Sequence, residues 1–120
     1  MTKIENPKQY DLEDRTLAFA KQIRIFVSKL PKTVSNIEDG KQLLRSSGSI
    51  GANYIEANEA LSRKDFLMRV KISRKESKES RYWLNLICVD GEIIEKERQK
   101  LLKEATELMM ILSTIMRNSE

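Results

Sequence analysis

Apolar residues recur along this chain at alternating intervals of four and three residues, the spacing that places them on one face of an α-helix. The first such segment covers about residues 11–30. Its predicted buried face consists of Leu12, Thr16, Phe19, Ile23, Phe26 and Leu30. Pro31 follows directly, and because proline cannot continue a helix, the segment is predicted to end there.

The second segment covers about residues 35–60 and has the same spacing. Its predicted buried face consists of Leu43, Ser47, Ile50, Tyr54, Ala57 and Leu61. Ser35 and Glu38 have the spacing of a capping box, although Asn36 is an alternative cap. Gly48 and Gly51 each cost about 1 kcal/mol of helix stability relative to alanine. We therefore expect these two glycines to allow the close approach of another helix.

The third segment, about residues 63–88, has serines at the centre of its apolar face, and Ser62 is its predicted N-cap. The predicted buried face consists of Phe66, Val70, Ser73, Ser77, Ser80, Leu84 and Ile87. Small side chains on two neighbouring helices favour a short distance between their axes. We therefore predict that Ser73, Ser77 and Ser80 pack against the stretch from Gly48 to Ala52 of the second helix, with Gly48 and Gly51 at the close contact.

The fourth segment, about residues 95–116, completes the pattern with a wide apolar band. Its predicted buried face consists of Leu101, Ala105, Leu108, Leu112 and Ile115. Four amphipathic helices joined by short connections predict an all-α, antiparallel up-down-up-down four-helix bundle. This single domain is expected to cover residues 11–117, preceded by a flexible arm over residues 1–10.

The composition argues against an enzyme. The 120 residues include no histidine and a single cysteine, Cys88, so the commonest general base and the usual zinc ligand sets are missing. Glutamates on the second and third helices lack the histidines of a di-metal bundle site. We therefore predict no catalytic residue, metal or cofactor. One cysteine, no signal peptide and no long apolar run favour a cytoplasmic protein without a membrane segment.

A small polar motif is predicted on the second helix. Asn53 and Glu56 are three residues apart and therefore share a helix face. We expect them to form a hydrogen-bonded pair that fixes the helix register, joined by Arg45 or by a basic residue of the third helix. The alternative is an acid–base role for Glu56, but no second catalytic group has a matching spacing.

The strongest functional signal is the positive charge of the third helix. Residues 63–81 contain 8 basic and 3 acidic side chains, a surplus larger than the net charge of +4 of the whole chain. A basic helix face can neutralise nucleic-acid phosphates. The candidate binding residues are Arg69, Lys71, Arg74, Lys75, Lys78 and Arg81. The alternative is a solvated face balanced by acids of other helices. Tyr82 and Trp83 lie beside this face and could stack on bases, or Trp83 could pack in the bundle or at a subunit contact.

Three stretches of the chain resemble one family. Residues 41–57 read KQLLRSSGSIGANYIEA, residues 75–84 read KESKESRYWL, and residues 107–113 read ELMMILS. They are similar to signatures of a bacterial four-helix-bundle family, also described as 23S ribosomal RNA intervening-sequence proteins of the S23 type. The resemblance implies homopentameric rings and a relation to retroelement accessory variability proteins, which bind nucleic acid and a reverse transcriptase. One departure is Ala57, where many members have glycine.

The residues and the resemblance together predict a non-enzymatic homo-oligomer, with a pentamer as the expected assembly. It is expected to bind structured RNA or DNA through the basic face of the third helix. A reverse transcriptase or another protein is a further expected partner. The alternative is a scaffold for protein–protein interaction that does not contact nucleic acid directly.

Overall fold

The computed structural model describes residues 7–120, with side chains from Leu12 onward, as four consecutive helices. They are α1 (Pro7–Ser28), α2 (Val34–Asn58), α3 (Arg63–Leu86) and α4 (Glu92–Asn118). Each helix packs against the next one in the chain, and α4 returns to contact α1. The predicted all-α four-helix bundle is therefore confirmed. Of the predicted arm, residues 1–6 lie outside the described residues, and residues 7–10 belong to α1.

The core follows the predicted four-and-three spacing. All six residues of the predicted face of α1 are buried, as are the serines at the centre of α3. Phe66 and Ile115, at the ends of two predicted faces, are partly buried and pack against the core. Leu61 is the exception, since its side chain is 99% exposed. The prediction for Leu61 was wrong because α2 already ends at Asn58, which leaves Leu61 in the connection to α3.

The helix caps agree with the sequence at α3 but not at α2. The Ser62 hydroxyl accepts a hydrogen bond from the backbone N–H of Asp65 at 3.0 Å, as predicted. The capping box predicted at Ser35 is wrong, because α2 begins at Val34, two residues before the start that a Ser35 cap requires. Its N-cap is Thr33, whose hydroxyl accepts a hydrogen bond from the Asn36 backbone N–H at 3.1 Å.

The side chain of Asn36 joins two helix connections at one end of the bundle. Its Nδ2 donates to the carbonyl oxygens of Pro31, at 3.0 Å, and Cys88, at 2.9 Å. Its Oδ1 accepts a hydrogen bond from the backbone N–H of Cys88 at 3.1 Å. The α1–α2 and α3–α4 connections therefore lie side by side. Asn36 is itself buried, so these bonds also satisfy its own amide group.

Serine hydroxyls line the contact between α2 and α3. Ser46 Oγ and Ser80 Oγ are 2.9 Å apart, and Ser73 Oγ donates to the Ile50 carbonyl oxygen at 2.7 Å. The hydroxyl of Ser77 donates within α3 to the Ser73 carbonyl oxygen at 3.1 Å. All of these serines are buried. The small side chains of α3 therefore let α2 approach closely, and each buried hydroxyl has a hydrogen-bond partner.

Two of the three glycines of α2, Gly48 and Gly51, have different surroundings. The predicted contact of the α3 serines with the stretch around them is made by Ser73, at the Ile50 carbonyl oxygen. A Cβ at Gly51 would lie 2.7 Å from Thr16 Oγ1, so Gly51 allows the close approach of α1 instead. A Cβ at Gly48 would have no heavy atom within 4 Å. The prediction of close packing at Gly48 was therefore wrong, because this position of α2 faces open space.

Candidate nucleic-acid interface

The outward face of α3 carries a line of exposed side chains that we call the basic ridge, formed by Lys71, Lys75, Lys78 and Tyr82. Their spacing of four, three and four residues keeps them on one helix face. All four side chains are exposed, since α3 packs against α2 on one side and α4 on the other. At 1.5 Å per residue the ridge is about 16 Å long. It is long enough to contact several phosphates of one strand.

Two arginines flank the ridge on the side of α3 that faces α4. Arg81 is partly buried, and its Nη1 lies 3.9 Å from the sulfur of Met109 on α4. Arg74 lies seven residues earlier, two helical turns away on the same flank, and is also partly buried. Among the described side chains, the Arg81 Nε is the one buried polar atom without a hydrogen-bond partner. The guanidinium group of Arg81 is thus held against α4 without an acidic partner.

Arg69 does not belong to the same surface. Its Nη1 donates to the Asn53 Oδ1 of α2 at 3.3 Å, on the flank of α3 opposite Arg81. Of the six candidate residues, the structure thus brings five together and places Arg69 on the other flank. The helical period explains this placement, because residue 69 falls on the same side of α3 as Glu76, seven residues later.

The basic side chains of α3 are not neutralised within the described part of the chain. The salt bridges there use five basic residues, none of them on α3: Arg15, Lys29, Lys41, Arg45 and Arg98. The acids of α3 that point towards α2 are instead paired. Arg45 of α2 lies 3.4 Å from Glu76 Oε1 and also forms an ion pair with Glu79. The alternative in which acids of other helices balance the α3 face therefore lacks the required ion pairs.

The same ion pairs hold the aromatic end of the ridge. Trp83 donates from its indole Nε1 to Glu79 Oε2 at 3.0 Å. The Tyr82 and Trp83 rings are 5.0 Å apart between centroids and are nearly perpendicular, at 80°. Trp83 is partly buried against the core, whereas Tyr82 is exposed. A chain of contacts therefore runs from Arg45 through Glu79 and Trp83 to the exposed ring of Tyr82.

Of the predicted polar motif of α2, the contact with a base of helix three is present, whereas the pair of Asn53 with Glu56 is not formed. Asn53 donates to the Ser49 carbonyl oxygen at 2.9 Å and accepts from Arg69 of α3, so its partner is a base of helix three, as one alternative required. Glu56 is exposed and has no hydrogen bond or ion pair to any described residue. Arg45 pairs with the glutamates of α3 rather than with Asn53. Arg45 precedes Asn53 by eight residues, which is about 12 Å along the helix axis.

Other features of the described residues bear on metal binding, ligand binding and membrane insertion. Within residues 7–120 no group of three or more acidic or cysteine side chains could hold a metal ion. A cleft of about 480 Å³ lies between α1 and α4, lined by apolar side chains such as Phe19 and Leu101 and crossed by the ion pair of Arg15 with Glu104. Cys88 is a free, exposed thiol. No helix in the described range has an apolar stretch long enough to cross a membrane.

The Glu79 carboxylate should make the stability of the protein dependent on acid pH. Its pKa lies below the ordinary value of 4.5, because the indole N–H of Trp83 donates to it and because Arg45 and Lys75 are positively charged. A lowered pKa contributes stability above the pKa of the unfolded chain, and this contribution is lost as the pH falls through the folded pKa. We therefore expect the stability advantage of the wild-type protein over Glu79→Gln to shrink as the pH falls below about 4.5.

Denaturant unfolding followed by Trp83 fluorescence at pH 7 and pH 3 measures this difference. Glu56→Gln is the matched control, since Glu56 is exposed and unpaired among the described residues. Its difference from the wild-type protein should be the same at both pH values. An advantage over Glu79→Gln that is equal at pH 7 and pH 3 would contradict the role given to this carboxylate.

Sequence reasoning missed two features of this surface. One is Arg45 as the partner of both Glu76 and Glu79, which is a contact between helices and therefore has no local signal. The other is the bond between Glu79 and Trp83, whose spacing of four residues was a readable signal of a contact on one helix face.

The chain matches the model of one protein family, described as 23S rRNA-intervening sequence protein, over residues 8–114. It is also similar to a solved structure from Bacteroides thetaiotaomicron, described as a protein with unknown function from the S23 ribosomal protein family. The two chains are 32% identical, the similarity covers 92% of this chain and 98% of the other, and the TM-score is 0.79. No curated protein matches the chain.

Proposed function

The chain belongs to the 23S rRNA-intervening sequence protein family, and on that premise we propose that it is a non-enzymatic protein that binds structured RNA or DNA through α3. The contact surface consists of the basic ridge with Arg74 and Arg81 on its flank. Lysines supply mobile point charges to the phosphates, and arginines supply forked hydrogen-bond donors. Binding would release counterions from the nucleic acid, which makes the affinity dependent on salt.

The observation that carries this proposal is the absence of ion pairs from the basic side chains of α3 in the described residues. A solvated helix face usually mixes charges of both signs. Here Arg45 pairs with Glu76 and Glu79 on the α2 side of the helix. The positive charges on the outward side are left for a partner, and a polyanion is the partner that such a line of cations fits.

The protein is further proposed to act as a homo-oligomer, with the pentamer that the family resemblance implies. A ring of copies would repeat the basic ridge, and simultaneous contacts would raise a weak affinity through avidity. Exposed apolar side chains on three helices supply area for contacts between copies: Leu17, Ile55, Ile93 and Met110. The cytoplasm is the proposed location, and a reverse transcriptase is a further proposed partner.

Reversing three charges of the surface tests the proposal. The triple variant Lys75→Glu, Lys78→Glu and Arg81→Glu is expected to bind a labelled structured RNA at least tenfold more weakly than the wild-type protein, because phosphate contacts are replaced by repulsion. Fluorescence anisotropy at a fixed salt concentration of about 0.1 M, near the physiological range, measures the effect.

The matched control reverses three exposed lysines of α4, Lys96, Lys100 and Lys103, none of which forms an ion pair in the described residues. Both triple variants have the same net charge, so a general loss of positive charge would weaken both equally. Equal affinities of the two variants for the RNA would reject α3 as the contact surface.

A scaffold for protein–protein interaction is the second candidate function. It is favoured by the exposed apolar side chains of α4, Ile93 and Met110, which lie outside the basic ridge. A scaffold would retain a protein partner after nuclease treatment, and its affinity for that partner would be unchanged in the α3 triple variant. Loss of the partner on nuclease treatment would instead favour nucleic-acid binding.

A further inference from the structure

Tyr82 differs from the other aromatic side chains that the structure describes because its ring faces solvent. Its side chain is 59% exposed, whereas Phe19, Phe26 and Tyr54 are buried and Trp83 is partly buried. A large exposed ring beside several unpaired cations is a common arrangement for stacking a nucleobase. The structure therefore offers a second kind of contact on a surface otherwise described by charge alone.

We infer that the basic ridge accepts unpaired nucleotides, with one base stacked on Tyr82 and neighbouring phosphates on Lys75 and Lys78. This inference rests on the proposed nucleic-acid binding and adds the class of ligand, a single-stranded or looped segment of RNA or DNA. Bases inside a duplex have both faces covered by their neighbours. Away from the ends of a duplex, only an unpaired base can place its π-face on a side chain.

The position of the ring supports this contact. The edge-to-face packing on Trp83, at 5.0 Å and 80°, restricts the Tyr82 ring from one side. Trp83 is in turn held by Glu79, which pairs with Arg45. A ring that is held in place loses little conformational entropy when a base stacks on it.

The spacing along α3 places the cations where a strand leaving the stacked base would run. Lys78 precedes Tyr82 by four residues and Lys75 by seven, on the same helix face. These intervals correspond to about 6 Å and about 10 Å along the helix axis. One base on Tyr82 and two phosphates on Lys78 and Lys75 therefore fit a single strand that follows the ridge.

A test compares an RNA hairpin with a long unpaired loop and a blunt RNA duplex with the same number of phosphates, together with the DNA form of each. Anisotropy titrations with the wild-type protein, Tyr82→Ala and Tyr82→Phe give the affinities, and circular dichroism checks that each variant is folded. We expect Tyr82→Ala to bind the hairpins at least fivefold more weakly, with an unchanged affinity for the duplexes. Tyr82→Phe retains the ring and should bind as the wild-type protein does.

The fluorescence of Trp83, the only tryptophan of the chain, is an independent measurement of where the base binds. This fluorescence should change when the hairpin binds and change less in Tyr82→Ala, because the stacked base would lie next to the Tyr82–Trp83 pair. Lys78→Ala is the charge control. It should weaken hairpin and duplex alike and lower the slope of log affinity against log salt by about 0.7–0.9, whereas Tyr82→Ala should leave that slope unchanged.

Equal affinities of the wild-type protein and Tyr82→Ala for the hairpins would overturn the inference, while continued salt-dependent binding would leave the proposed function standing. A Tyr82→Ala effect confined to RNA would also overturn it, since stacking does not depend on the 2′-hydroxyl group. No binding of any of the four nucleic acids by the wild-type protein would instead reject the proposed function itself.

Discussion

Replacing Asn36 by alanine is expected to lower the free energy of unfolding by about 2–4 kcal/mol, the largest effect that we expect from a single polar side chain. The substitution removes the partner of the Cys88 backbone N–H and of the carbonyl oxygens of Cys88 and Pro31. Two helix connections would then no longer be joined. Water can replace part of these bonds because Cys88 is exposed, which keeps the estimate below the full sum of three lost bonds.

Urea unfolding followed by circular dichroism measures this change. Asn85→Ala is the matched control, because Asn85 is exposed and donates only to the Arg81 carbonyl oxygen of its own helix. We expect it to change the stability by less than about 0.5 kcal/mol. If Asn36→Ala were as stable as Asn85→Ala, Asn36 would not be what joins the two connections.

Gly48 and Gly51 of α2 should respond in opposite ways to alanine. At either position alanine raises helix propensity by about 1 kcal/mol. At Gly48 the new Cβ meets no atom within 4 Å, so the protein should become more stable by about that amount. At Gly51 the Cβ would lie 2.7 Å from Thr16 Oγ1 and 3.1 Å from Thr16 Cβ. The resulting overpacking should make Gly51→Ala less stable than Gly48→Ala by about 2 kcal/mol.

Thr16 cannot move aside easily. It is buried, its β-branched side chain is stiff at χ1, and its hydroxyl donates to the Glu13 carbonyl oxygen at 2.9 Å. Thermal unfolding of the two alanine variants gives the comparison, since the chemical change and the helix are the same. Equal unfolding temperatures of the two variants would show that α1 and α2 can move apart without a loss of stability. The close contact at Gly51 would then not contribute to the stability of the protein.

The fold could be predicted from the sequence because one physical signal, the periodic burial of apolar residues, dominates in a helical bundle. The predicted faces of α1 and α3 are buried nearly throughout. Leu61 was misplaced because the spacing continues past the point where α2 ends, and periodicity alone does not mark that point. The sequence offered several possible caps for α2 by residue type and did not single out Thr33. Asn36, one of those candidates, instead uses its side chain to join two connections that are distant in the sequence.

The candidate surface could be predicted only in part. The surplus of positive charge on α3 is a property of composition and is visible in the sequence. The division of its charges between two flanks depends on where neighbouring helices pack. Arg69 therefore contacts Asn53 while Arg81 contacts Met109. Ion pairs between helices, such as that of Arg45 with Glu79, depend on packing across the bundle and have no local sequence signal.

Pairing the acids of α3 with Arg45 has a consequence for the outward side of the helix. Glu76 and Glu79 would otherwise reduce the positive potential of the ridge, but Arg45 offsets their charge on the α2 side. Removing Arg45 would leave both carboxylates without their ion-pair partner, and their charge would then reduce the positive potential of the ridge. The packing between α2 and α3 and the charge of the proposed interface are thus linked through one side chain.

The most direct test is a titration of a labelled structured RNA with the wild-type protein over a series of salt concentrations. If α3 binds phosphates, binding is expected at micromolar protein or tighter at low salt, as a rough expectation for a multiply charged surface. The logarithm of the affinity should then fall linearly with the logarithm of the salt concentration, with a slope of about −3 or steeper for four or more contacts. An absence of binding at low salt, or an affinity that does not change with salt, would contradict nucleic-acid binding by the basic ridge.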